Sequence, residues 1–560
     1  MKSRISRRKF LKATGLGAGA TLLAACAPQT ASPAAPVPAA TAVPPASASM
    51  PTEMPRPVSV AGATLTYWSR LYTNVAATRQ SFAELTCYKE LKKITGVNIE
   101  FQHVPDNPQA EEAFNLMIAS GKYPDIIETN WLNFPGGPAK ALKDGVIMRL
   151  NEMVDGGRSP AFAKVLADHP DWRRMILTDE GDIYCYPFLR GHPGLQTFTG
   201  PFVRRDYLDK LGLKDVPKTI SEWTDIFKIM KGKDLNGNGR ADEYPFTSWL
   251  FGEGHRAFEY SHAFVGAYGI TMGFYNESGT VKYGPIEPAF KDFVSLVAGW
   301  WKEGYVHPDT FTMDAKAFDA QMSNGNIASG VLLVGSGIGR LIPLVRPNVP
   351  EFTLEGVPYP TLKPGERPLF GQMDNAYPGQ CSAAITTQIS NLDAALVVLD
   401  YPYSEEGHML FNFGKEGEQY DLVNGYPKWR DEIVKPEKLP LAHSIAQHAR
   451  SNFGGPFVQD IRYLEQYLPL PEQQAAYRIW SDADHSRIMP PVTPTQEESR
   501  QFSRVMSEIG PRLKEVFAKV MTNVEPLSAW DAFVSEMERL NIRNAIAIQQ
   551  AALDRYNARK

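Results

Sequence analysis

Ala63-Thr64-Leu65-Thr66-Tyr67-Trp68 reads as a β-strand, and the elements after it decide the fold. Phe82, Leu85, Tyr88, Leu91 and Ile94 recur at helical spacing, which predicts a helix over about 79–95, and Gly96 suits its stop. Val97, Ile99 and Phe101 alternate as a second strand. A second helix is predicted from about Pro108 to Ser120, with Ala113, Leu116 and Met117 inward and Gly121 after it. Pro124-Asp125-Ile126-Ile127 then reads as a short buried strand. Strand-helix-strand-helix-strand predicts an α/β fold whose parallel, doubly wound sheet is covered on both faces. In such sheets ligands bind beyond the carboxyl ends of the strands. Here those ends are Trp68-Ser69-Arg70 and Glu128-Thr129-Asn130-Trp131.

Further along, Phe202 to Leu213 (FVRRDYLDKLGL) reads as a strand entering a helix that stops at Gly212. Thr219 and Glu222 form a capping-box pattern before the next helix. Helical periodicity returns at about 286–303, and Val331-Leu332-Leu333-Val334 reads as a buried strand ending in Gly335-Ser336-Gly337. The tail is helical, with a second capping-box pattern at Thr495 and Glu498. The chain has 560 residues, 43% hydrophobic and 21% charged, a globular composition too long for one simple core.

The N-terminus reads as an address. Arg7-Arg8 precedes a short Gly- and Ala-rich apolar run from Ala13 to Ala25, too short to span a bilayer. The arginine pair points to twin-arginine export. The run ends Leu23-Ala24-Ala25-Cys26, which looks like a bacterial lipobox, so Cys26 is the expected lipidation site. Residues 1–25 are therefore expected to be a cleaved lipoprotein signal, and 26–60, rich in Pro and Ala, an extended tether. That places the protein outside the cytoplasm, anchored to the bacterial membrane by its N-terminal lipid. The first 25 residues hold six of the 58 basic groups and none of the 62 acidic ones, so the rest carries a formal charge of −10. An acidic body argues against a nucleic-acid partner. Cys87, Cys185 and Cys381 have no metal spacing and read as core thiols.

The sharpest local signal is Asp234-Leu235-Asn236-Gly237-Asn238-Gly239-Arg240-Ala241-Asp242-Glu243. Asp234, Asn236 and Asn238 fall at loop positions one, three and five, and Gly239 sits where a calcium loop turns sharply. Arg240 could offer its carbonyl, and Asp242 and Glu243 could close the sphere. This predicts a structural calcium ion. Position twelve is Pro245 rather than Glu, unlike an EF-hand.

The body, about 60–560, resembles extracellular solute-binding protein family 1. Within it, the body looks like the large oligosaccharide-binding lipoproteins of ABC importers, among them alginate- and pectin-fragment-binding proteins. The stretches that carry the resemblance are Ala119 to Asp125, Arg204 to Leu213, the Asp234 loop, Tyr403 to Gly407 with Gly414 to Gly417, and Glu525 to Asp531 with Ala552 to Tyr556. The resemblance implies a type II periplasmic-binding-protein fold, two doubly wound lobes joined by a multi-strand hinge. It implies crossings near 186–190, 322–327 and 376–382. The N-terminal lobe is then expected to be 61–188 plus 325–378, and the C-terminal lobe 189–324 plus 379–560. The family's calcium loop carries over at Asp234, Asn236, Asn238, Arg240, Asp242 and Glu243. The implied partners are an oligosaccharide and the permease subunits of an ABC importer, with the protein itself a monomer.

A sugar ring needs flat aromatic surface against its C–H face and planar polar groups around its hydroxyls. The candidates are Trp68, Trp131, Trp249 and Trp429, with Arg190, Arg205 and Asp374 as polar partners. Arginines near the cleft would suit uronates, and neutral sugars stay open. A secreted glycan-active enzyme or a glycan sensor or adhesin is the alternative. No GxSxG serine, HExxH pair or P-loop supports catalysis, so no enzymatic role is expected.

Overall fold

The sequence folds around two main sheets, each with its own core. The computed structural model describes residues 60–106, 109–247, 263–437 and 439–559, all within one unit, Val58–Lys560. The export address, Cys26 and the tether before Val60 lie outside the described residues.

The first sheet has four strands in the order Ser382–Ile385, Ile126–Thr129, Thr64–Leu71, Asn98–Pro105. Thr64–Leu71 runs parallel to both of its neighbours, with Tyr67 beside Phe101 on one side and Ile126 on the other. Ser382–Ile385 closes the edge antiparallel. The expected strands and helices are present, with two local differences. The predicted 79–95 helix is a 3-10 turn, Phe82–Glu84, followed by the helix Thr86–Thr95. Ser81 and Glu84 form a capping box on the turn, and Leu85 is extended, which separates the two pieces. In Gln109–Ser120, Ala110 and Phe114 face the core, while Leu116 is 64% exposed. The inward stripe passes through Phe114, four residues after Ala110, not through Leu116.

The second sheet has three strands, Ser329–Leu333, Thr199–Arg204 and Leu354–Gly356, with Thr199–Arg204 in the centre. Both of its pairings are antiparallel, unlike the parallel winding expected for each lobe. Thr199–Arg204 is buried along its whole length. The C-terminal helices Gln496–Met521, Ser528–Arg539 and Ile542–Ala558 build on this half. Val505, Ile509, Leu513, Val516 and Val520 form the buried stripe of the first of them, and Thr495 and Glu498 cap it reciprocally.

Strand pairing corrects the expected lobe boundaries. The strand at 329–333 pairs with Thr199–Arg204 and packs in the second core, so 325–370 belongs to the second lobe. The strand at 382–385 pairs with Ile126–Thr129, and Ala383 to Phe411 pack in the first core, so this stretch belongs to the first lobe. Phe318, Met322, Ile327 and Ala328 share one core, so the chain does not cross at 322–327. It crosses instead between Leu189 and Leu195, between Phe370 and Ala376, and between Phe457 and Tyr463. It also passes at 411–413 and 445–446.

Cys87, Cys185 and Cys381 are buried and unbridged, and burial pushes each thiol up to about 12. Among the described residues, no helix is long and apolar enough to cross a membrane.

Candidate functional site at the lobe crossings

The three main crossings are stitched to one another. Leu189–Arg190 pairs in parallel with Val458–Gln459. Arg190 N–H donates to the Ala376 carbonyl at 2.8 Å, and Asp374 N–H donates to the Gln196 carbonyl at 2.8 Å. Strands that join two lobes in this way are the material of a hinge.

A cavity of about 430 Å³ opens against these crossings. The second lobe supplies most of its wall, and Gln380 and Asn452 approach from the side of the first. Phe198 and Thr199 come from the start of the central second-lobe strand. Val334, Gly335 and Ser336 come from the π-helical turn after Ser329–Leu333. The site therefore lies at one edge of the second sheet, where Ser329–Leu333 ends and its antiparallel neighbour Thr199–Arg204 begins.

Tyr463 and Tyr467 complete the wall from the helix Ile461–Tyr467. Four residues apart, they share a face, and their rings stack at 5.3 Å and 23°. Asp460 caps this helix by accepting the Arg462 N–H at 2.8 Å. Its carboxylate also receives His408 Nε2 at 2.9 Å. Burial alone would raise its pKa, but the bonds from His408 and Arg462 outweigh it and hold the carboxyl below the usual range. Gly335 lets the turn meet Tyr467, since a Cβ there would lie 2.4 Å from the ring. Phe198 and Tyr467 are only partly buried, and they are the aromatic rings presented at this wall.

Of the residues singled out in the sequence, the cavity unites Arg190 and Asp374. Arg190 Nη2 and Nε donate to Asp374 Oδ2 at 2.6 and 3.1 Å, and Nη1 donates to the Leu195 carbonyl at 3.0 Å. The guanidinium stands 5.0 Å from the Phe198 ring centroid. The same pair lines a second cavity of about 310 Å³, with Trp172, His192 and His485.

The tryptophans are placed otherwise. Trp131 is fully buried, and its Nε1–H donates to the Ser382 carbonyl at 3.2 Å, so it offers no face to a sugar. Trp68 packs on Phe114 in the same core. Trp429 lies behind the cavity wall, edge-on to Tyr463, with its Nε1–H bound to the Phe413 carbonyl at 3.1 Å. Arg205 opens the helix Arg205–Lys210 and pairs with Asp209 and Glu355, away from the cavity wall. Trp249 lies outside the described residues. Phe198, Tyr467 and Asn452 were missed because the approach to a strand, a seven-residue helix and a turn carry no periodic signal. The Gly335-Ser336-Gly337 run at a strand end was the one available pointer.

Asn452 is held by a buried ion pair two residues earlier. Arg450 and Glu128 are both fully buried, with Nη2–Oε1 at 2.6 Å and Nη1–Oε2 at 2.9 Å. Tyr67 and Tyr88 hydroxyls join them. This cluster fastens the segment to the first-lobe sheet.

The loop after the helix Ile220–Met230 closes on itself. Asp234 accepts the N–H groups of Gly237, Asn238 and Gly239 at 2.8, 3.1 and 2.9 Å. Asn236 Oδ1 accepts from Asn238 N–H, and Asn238 Oδ1 from Arg240 N–H. Asn238 Nδ2 donates to Asp242 at 3.2 Å. Glu243 is buried. Its Oε1 accepts the N–H groups of Leu235 and Asn236, while its Oε2 is buried without a hydrogen-bond partner. Among the described residues no three His, Cys, Asp or Glu side chains converge on one metal position.

The family described as bacterial extracellular solute-binding protein matches residues 73–409, more than half of the chain. The fructooligosaccharide ABC transporter substrate-binding protein FusA of Streptococcus pneumoniae is 23% identical over 515 residues, 84% of this chain and 87% of FusA. Lipoprotein LipO of Bacillus subtilis is 23% identical over 347 residues, 60% of this chain and 64% of LipO. Among solved structures, the alginate-binding protein AlgQ2 without calcium ion superposes with a TM-score of 0.72 at 23% identity, covering 88% of this chain and 98% of AlgQ2. FusA in complex with kestose superposes at 0.70 and 20% identity, covering 89% of this chain and 100% of FusA. A FusA EF-hand mutant has also been solved. The fold is shared with AlgQ2 and FusA.

Proposed function

This chain belongs to the bacterial extracellular solute-binding protein family, and we propose that it captures an oligosaccharide between its lobes and passes it to the permease of an ABC importer. One observation carries this reading: the cavity at the crossings sets the partly exposed rings of Phe198 and Tyr467 beside uncharged hydrogen-bonding groups. A sugar ring presents an apolar face and a rim of hydroxyls, and both find partners there. The role of FusA as a fructooligosaccharide substrate-binding protein supports it. The protein acts as a binder, returning its ligand unchanged.

Function follows from closure. Moving an open:closed balance from 99:1 to 1:99 takes about 5.5 kcal/mol of differential binding. A micromolar ligand supplies about 8 kcal/mol in all, enough to drive the hinge. The closed form is the one a permease distinguishes from the empty protein.

The Asp234 loop fits a hard cation such as calcium. Its donors are all oxygens, and Glu243 Oε2 is a buried acceptor awaiting a partner. Asp234, Asn236, Asn238, the Arg240 carbonyl, Asp242 and Glu243 would hold the ion. Its part is structural, fixing the loop to the second lobe. Twin-arginine export, lipidation at Cys26 and a proline-rich tether would set the body, a monomer, on the outer face of the membrane.

A melting-temperature screen of oligosaccharides against the purified protein tests the reading. A stabilising glycan recovered intact by chromatography supports it. A glycan recovered cleaved, or a protein indifferent to every glycan, overturns it.

A further inference from the structure

We infer that the cleft selects an uncharged, hydroxyl-rich glycan and disfavours uronates, an inference that rests on the oligosaccharide reading above. Among the described residues lining the cavity, Arg190 and Asp374 alone are charged. They neutralise each other at 2.6 Å. All three guanidinium nitrogens are engaged, Nε and Nη2 on Asp374 and Nη1 on the Leu195 carbonyl. A ligand carboxylate approaching Arg190 would meet Asp374 already paired to the same guanidinium, setting two carboxylates side by side in a partly buried site.

The unsatisfied groups ask for ligand hydroxyls, which a neutral hexose presents even where a uronate carries its carboxylate. Asn452 Oδ1 is buried with no hydrogen-bond partner. Its amide nitrogen already donates to the Ala442 carbonyl at 2.6 Å, which fixes the oxygen as the free end. An amide oxygen accepts only, so it can be satisfied by a ligand O–H and not by a carboxylate. Thr199 Oγ1, also buried without a partner on the cavity wall, can accept or donate to a hydroxyl. A hydroxyl-rich ring relieves both, and each buried polar atom left unmet costs binding.

The test is calorimetric titration of the full chain with neutral fructo-, malto- and xylo-oligosaccharides and with alginate and galacturonate oligomers of matched length. At least one neutral series should bind, and every uronate should bind at least about tenfold more weakly than the best of them. Asn452→Ala should weaken the neutral ligand about tenfold, with only a modest fall in the melting temperature of the free protein from loss of the Ala442 bond. Asp374→Asn should narrow the gap by releasing Arg190 to a ligand carboxylate. Equal or tighter uronate binding overturns the inference and leaves the oligosaccharide reading standing. Binding of no glycan at all removes the reading, and the inference with it.

Discussion

Arg190 Nη2 lies 2.6 Å from Asp374 Oδ2 across 184 residues of sequence, and this contact joins the first crossing segment to the second. The third crossing enters through Gln459, whose backbone carbonyl receives Gly191 N–H at 3.1 Å. One ion pair thus sits where three crossings meet, on the wall of the proposed binding cavity. A cation there serves the hinge first and is unavailable as a free charge for a ligand.

The Arg450–Glu128 pair should behave as a buried pair. Removing one partner strands a charge, so Glu128→Ala should lose about 3–5 kcal/mol of stability in urea unfolding. Replacing both by apolar residues of similar size should lose much less. Equal losses in the single and double variants would contradict this account.

Asp460 should make stability acid-sensitive. Its folded pKa is held below the ordinary aspartate value of about 3.9, so its contribution is complete above that pH and is lost as pH falls through the depressed value. Urea midpoints measured between about pH 5 and pH 2.5 should fall less steeply in Asp460→Asn than in the parent. The variant should leave ligand binding at neutral pH nearly unchanged, because an Asn at 460 still caps the helix that carries Tyr467.

Gly335→Ala should harm the site more than the fold. The new methyl would meet the Tyr467 ring at 2.4 Å, and relief comes by turning the ring away. We expect a stability loss of about 1–3 kcal/mol and a larger proportional loss in ligand affinity. Affinity unchanged beside a shifted melting point would remove Tyr467 from the site.

Chelation tests the Asp234 loop. Removing calcium should lower the melting temperature, and restoring it should release heat in calorimetry. Asp234→Ala should abolish both responses, since this carboxylate gathers three loop N–H groups. A parent protein that ignores millimolar calcium would end the assignment.

What the sequence revealed follows from the range of its signals. The strand-helix alternation from Ala63 to Ile127 and the capping boxes at Thr219 and Thr495 are local, and they predicted the first sheet and the main helices. Lobe membership of 325–411 is not local. It depends on which sheet edge Ser329–Leu333 and Ser382–Ile385 join, and short buried strands look alike in sequence. The same limit applies to the site. Indole rings were natural candidates for sugar platforms, yet Trp68, Trp131 and Trp429 are large apolar groups that the cores absorb. The partly exposed rings, Phe198 and Tyr467, come from the approach to a strand and a seven-residue helix, where no pattern announces them. Arg190 and Asp374 were legible as polar groups near a predicted crossing, but not as partners of each other.

The central claim is that two lobes close over a carbohydrate, and small-angle X-ray scattering tests it most directly. With a saturating oligosaccharide found in the screen, the radius of gyration should fall and the maximum dimension shorten relative to the free protein, and Tyr467→Ala should cancel both at the same ligand concentration. A scattering profile that stays the same at proven saturation would contradict the account.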